Sequence, residues 1–135
     1  MTHKSLPQSE HFIYHELVEG VWAAASNSGI VDLGDSTLIF DTTFSPASAV
    51  DLRKAAESLT GRPVNYVLNS HFHNDHVFGN AIFDSTTEIY TTVRTREIMA
   101  ELERAHPNVR GFHHEQNQGK GGALRTGFSK VSGDV

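Results

Sequence analysis

The 135-residue chain has no cysteine. That excludes disulfide bridges and any thiolate metal site. No apolar run approaches the ~18 residues of a membrane span. The opening MTHKSLPQSEHF lacks the apolar stretch of a secretory leader. Positive charge is in the minority, 11 Lys and Arg against 16 Asp and Glu for a net charge of −5, and no basic stripe stands out. Nucleic acid is therefore not an expected partner, nor is a membrane. The expectation is a soluble cytoplasmic protein.

What is present is a globular balance, with 38% hydrophobic and 20% charged residues, in a length that suits one domain with a modest core. Residues 11–44 predict strands. HFIYHEL and VWAAAS are short and apolar, and SGIVDL and STLIFD flank Gly34-Asp35, a pair suited to a type II′ hairpin. The continuous apolar runs Ile30-Val31 and Leu38-Ile39-Phe40 suggest strands buried on both faces. Ser45 and Pro46 open a predicted helix over 46–59. Ala49, Leu52, Ala56 and Leu59 form its apolar face, and Gly61 and Pro63 end it. VNYVLN (64–69) predicts a strand with Val64, Tyr66 and Leu68 on one face. VFGNAIF predicts a turn into a short helix, EIYTT (88–92) a strand, and 96–105 a helix with Ile98, Leu102 and Ala105 on one side. This order is an α/β pattern. The domain is expected over 11–110. Six of the eleven glycines lie in 111–135, so that segment reads as a flexible or out-of-context tail.

The densest chemistry is in VLNSHFHNDHVFGN, residues 67–80, which holds His71, His73, Asp75 and His76. Imidazole is a good ligand for Zn²⁺, and carboxylate commonly joins it. Residues two apart at the end of a strand point the same way, so His71 and His73 can reach one ion. A turn after them brings Asp75 and His76 back to the same pocket, where they could hold a second. The place is right, because ligands of α/β sheets gather at the carboxyl ends of strands. A chance His-x-His-x-Asp-His match is roughly two in a thousand for such a composition. Asp41, Asn69 and Ser70 are candidates to orient the histidine rings; each reads equally well as a strand-end turn or cap. Trp22 reads as strand core, and His11 and His15 as solvent-facing. Phe72 and Phe78 either wall the pocket or simply pack. Arg94, Arg96 and Arg104 read as a solvated face.

NSHFHNDHVFGN, together with the LIFDTT strand end and the order of elements over 11–105, resembles the metallo-β-lactamase superfamily. The resemblance implies an αββα sandwich, of which this chain would be the N-terminal half. It also implies a zinc-dependent hydrolase working through metal-activated water, with iron as the alternative metal in some members. His71 and His73 would bind the first zinc, and Asp75 and His76 the second. Asp75 would also orient the water, as the catalytic carboxylate, and Asp41 would support the site from behind. β-Lactams, lactones, thioesters and phosphoesters are all substrates within the superfamily. Further ligands come from the second half in such proteins. Here His106, His113 and His114, with Glu115 and Asp134, are the candidates that remain. A two-ion centre is then not expected to preassemble. The competing expectation is a truncated, non-catalytic homologue that binds metal weakly or needs a partner chain. With half of the sandwich absent, the Leu38-Ile39-Phe40 and Val67-Leu68 runs are expected to be exposed and to favour self-association.

Overall fold

A computed structural model describes residues 5–24, 27–98, 100, 109–112, 125–126 and 129–130. Seven strands form one sheet in sequence order. β1 (Tyr14–Val18), β2 (Val21–Ala24), β3 (Ser28–Asp32) and β4 (Thr37–Phe40) make an antiparallel meander. β5 (Val64–Leu68), β6 (Glu88–Thr92) and β7 (Val109–Phe112) continue it in parallel from β4. α1 (Pro46–Thr60) crosses from β4 to β5. α2 (Asn74–Val77) and a 3-10 helix (Phe78–Ile82) cross from β5 to β6, and α3 (Val93–Ile98) follows β6.

Local chemistry accounts for most of these boundaries. Ser45 caps α1, its side chain accepting from Ser48 N at 3.1 Å, with Pro46 in the first turn. Gly61 ends the helix at φ 73°, and Gly34 turns the β3–β4 hairpin at φ 91°. The apolar face of α1 lies on the sheet, where Leu52, Ala56 and Leu59 pack with Ile39, Val67 and Ile89. Trp22 belongs to that cluster, as expected. His11 and His15 are exposed, as are Arg94 and Arg96.

The structure departs from the expectations in four places. Val64 packs with Val67 rather than with Tyr66 and Leu68. The register slips between Thr37↔Val64 and Leu38↔Tyr66, and one extra residue flips the side-chain alternation. The helix expected at 96–105 begins at Val93, because the Thr92 hydroxyl accepts from Thr95 N. Its Ile98 is exposed rather than packed, while Leu102, Ala105 and Arg104 lie outside the described residues. Gly111 and Phe112, read as the start of the tail, pair with Thr91 and Thr92 in β7. Finally, Leu38, Ile39, Val67 and Leu68 are buried and Phe40 is partly buried, not exposed. Leu38, Tyr66, Leu68 and Tyr90 form a second cluster on the other face of the sheet. The Tyr90 hydroxyl there donates to the Lys130 carbonyl at 3.0 Å. Among the described residues, no helix is long and apolar enough to cross a membrane.

One close approach ties the second crossover to the first. A Cβ on Gly79 would lie 1.9 Å from the Thr42 carbonyl oxygen and 2.4 Å from the Ala49 Cβ. Only glycine lets the 3-10 helix rest there. Gly79→Ala is expected to cost about 1–3 kcal/mol as an overpacking change, read as a lowered urea midpoint at unchanged slope. An unaltered midpoint would mean that this contact yields freely.

Candidate metal centre

The site is built where β4 and β5 end side by side. Asp41 N donates to the Leu68 carbonyl at 2.9 Å, and Thr42 N to the His76 carbonyl at 2.8 Å. Asp41 and Thr43 take left-handed backbone, at φ 57° and 71°. Such residues cost on the order of 1–3 kcal/mol each and persist where surrounding bonds hold them. Here the bonds converge on the Asp41 carboxylate, which is 1% exposed. Ser70 N reaches its Oδ1 at 2.8 Å. The Ser70 hydroxyl reaches Oδ2 at 2.7 Å, and His76 Nδ1 reaches the same oxygen at 2.7 Å.

Those contacts determine which ring nitrogen carries each proton. His76 Nδ1 faces a carboxylate, so it is the N–H donor and Nε2 keeps a lone pair. Ser70 gives its only hydrogen to Asp41. His71 Nδ1, 2.8 Å from the Ser70 oxygen, must therefore be the donor in that pair, and its Nε2 keeps a lone pair as well. Partial burial, with His76 and His73 alongside, holds the pKa of His71 below the ordinary value. The ring thus favours the neutral form that a metal needs.

The three histidine rings of the cluster lie side by side. The ring centroid of His71 is 4.0 Å from that of His76 and 4.7 Å from that of His73. Phe72 stands edge-on to His73 at 4.9 Å, so it packs beside a candidate ligand, whereas Phe78 is exposed. Asp75 Oδ2 lies 3.3 Å from His76 Nε2. Two donors each ~2.0–2.1 Å from a tetrahedral zinc are separated by ~3.3 Å. This pair therefore has the spacing of one corner of a site. Among the described residues, no group of three or more His, Cys, Asp or Glu side chains is set to hold a metal. The donor chemistry and the ring orientation fit a zinc ion, then, and two donors are spaced for one. His106, His113, His114, Glu115 and Asp134 lie outside the described residues.

Of the three residues considered as ring orienters, Asp41 and Ser70 touch rings. Asn69 supports backbone instead. Its amide exchanges bonds with Asn80, at 2.7 and 3.2 Å, and reaches the His76 carbonyl at 3.4 Å. Thr42 donates to Asn80 at 2.6 Å. Sequence reasoning missed Asn80 and also Asn27, whose amide nitrogen lies 2.9 Å from Asp75 Oδ2 and 3.3 Å from His76 Nε2. Asn80 could have been singled out from the Gly79-Asn80 pair after the histidines. Asn27 gave no local signal.

With this geometry in view, comparison with known proteins assigns the chain to a class. A sequence profile described as the metallo-beta-lactamase superfamily matches residues 21–132, and the chain belongs to that superfamily. Its fold matches a metallo-beta-lactamase from Hirschia baltica with a TM-score of 0.62 at 19% identity, over 69% of this chain and 48% of that one. The mono-zinc form of the metallo-beta-lactamase FIM-1 from Pseudomonas aeruginosa gives a TM-score of 0.61 at 16% identity, over 83% and 54%. A metallo-beta-lactamase from Pontibacter korlensis gives 0.64 at 18% identity, over 79% and 54%. The chain spans about half the length of these structures. Its sheet and α1 are thus part of the superfamily's fold, as the resemblance implied.

Asp41→Asn tests the carboxylate at the base of the site. The amide must turn a donor toward Ser70 or His76, which leaves buried groups unpaired at about 1–3 kcal/mol. The expected result is a lowered unfolding midpoint, together with mixed His71 and His76 tautomers in ¹⁵N NMR of the rings. Unchanged tautomers would show that Asp41 does not set them.

Proposed function

We propose that the chain carries ligands of a zinc-dependent hydrolase: His71, His73 and His76 as imidazole donors, and Asp75 as carboxylate donor and proton acceptor. The observation that carries this reading is the pair of Nδ1 bonds, His76 to Asp41 and His71 to Ser70. They orient two rings and leave both Nε2 atoms without a proton, the arrangement that metal-binding histidines need. A bound Zn²⁺ would supply Lewis acidity and would lower the pKa of its water toward about 7. The Asp75 side chain is 58% exposed at the mouth of the site, where it can orient water and take its proton. Iron is the other cation that imidazole and carboxylate accommodate. The substrate is a small molecule with a hydrolysable acyl or phosphoryl bond.

A second reading is favoured by a single observation: two donors, not three, are spaced for a metal among the described residues. On that reading the chain binds metal weakly without catalysis, or a second chain completes the site, with pairing of copies as one route.

Metal content of the purified protein after gel filtration tests both. Zinc or iron is expected to co-elute with the wild type and to be lost in His71→Ala/His73→Ala. Metal-dependent hydrolysis of a generic ester or lactam should disappear with it. Metal with no turnover supports the second reading, and metal confined to a dimer supports pairing. A wild type with no more metal than the double variant overturns the proposal.

A further inference from the structure

The Asn27 side chain stands in the mouth of the metal corner. Its amide nitrogen lies 2.9 Å from Asp75 Oδ2 and 3.3 Å from His76 Nε2. Those two atoms are 3.3 Å from each other, so the three make a nearly equilateral triangle. The carboxylate is an acceptor, which requires the NH₂ end of the amide to face it. Nε2 is also an acceptor, because Nδ1 gives its hydrogen to Asp41. The NH₂ group therefore stands within reach of two acceptors. The group presents partial positive charge to the atoms that a cation would use.

The two uses exclude each other at His76. Neutral imidazole has one lone pair on Nε2, lying in the ring plane. It can accept from Asn27 or bind a metal, not both. Asp75 has lone pairs to spare, so the conflict lies at the histidine. Asn27 comes from the connection between β2 and β3, 49 positions from His76 in sequence. Its side chain can leave without disturbing Asp41, Ser70 or the Asn69–Asn80 pair, whose bonds do not involve it.

We infer that Asn27 is a built-in competitor for the cation position. Its NH₂ group contacts both Asp75 Oδ2 and His76 Nε2, and it must withdraw from His76 Nε2 for a metal to bind there. This rests on the metal-binding reading of those two residues. It adds that the β2–β3 connection is coupled to metal loading, and that wild-type affinity is set below what the donors alone would give.

The test is Zn²⁺ affinity of the full chain by competition with a chromophoric chelator, for wild type, Asn27→Ala and His71→Ala/His73→Ala. Asn27→Ala is expected to bind zinc about threefold to tenfold tighter, the fold-change of removing a hydrogen bond of ordinary net strength. In the wild type, the Asn27 side-chain amide resonance, identified by its loss in Asn27→Ala, should move when Zn²⁺ is added. Equal or weaker zinc binding by Asn27→Ala overturns the competitor role; weaker binding would make Asn27 a support of the donors. A stationary amide resonance in zinc-loaded wild type overturns it too, even if the variant folds poorly. If wild type and Asn27→Ala bind no more zinc than the histidine double variant, the metal-binding reading itself fails, and the competitor falls with it.

Discussion

The interaction on which the site depends is the buried carboxylate of Asp41. Burying a carboxylate is costly unless its oxygens are hydrogen-bonded. Here three donors reach it, a backbone N–H, a hydroxyl and an imidazole N–H. To present its oxygens that way, the chain adopts left-handed backbone at Asp41 and again at Thr43. The β-branched Thr43 is a costly residue for such a conformation. Its hydroxyl is held by Ser48 in the first turn of α1, so the same helix that packs the core also braces the strained loop. One charged group thereby links the end of β4, the loop after β5 and two candidate ligands.

Around that carboxylate the site has a rigid base and a looser rim. The base is the polar network of Thr42, Asn69 and Asn80, all buried, with every amide contact directed at a neighbour in the network or at the His76 carbonyl. A fully satisfied buried network fixes geometry, because any departure leaves polar atoms unpaired. Gly79 lets this base sit against α1. The rim is different: His73 and Asp75 are exposed. Backbone positions of the candidate ligands are thus set by folding, and the His71 and His76 rings are held by Ser70 and Asp41, while the His73 and Asp75 side chains stand in solvent.

Much of this was legible in the sequence, for identifiable reasons. Strong local signals gave the right elements: the Ser45 cap with Pro46, the stop at Gly61, the Gly34 hairpin and the EIYTT strand. The histidine cluster was conspicuous because four metal-capable residues fell within six positions. What failed depended on partners far along the chain. The face of Val64 was misjudged because the register slip is a property of β4 and β5 together, invisible in VNYVLN alone. The burial of the apolar runs on the second face was misjudged as well, and Tyr90 of that face meets residue 130, a contact 40 positions long. The start of α3 is the one local miss, since Thr92-x-x-Thr95 carried a readable cap.

Asn27 shows why such a residue escapes a motif. It is one polar residue in a connection, and nothing near it in sequence suggests chemistry. Its significance comes only from meeting Asp75 and His76, 48 and 49 positions away. Metal sites face a physical problem before metal arrives: bare carboxylates and imidazole lone pairs, gathered at one point, repel each other. An amide donor relieves that repulsion without adding net charge, and it gives way to a divalent cation because it is the weaker partner. A lysine in the same position would relieve the repulsion more strongly and would be far harder to displace. On the competitor reading, a neutral donor on a strand connection lets the site fold in a satisfied state and still remain open to exchange.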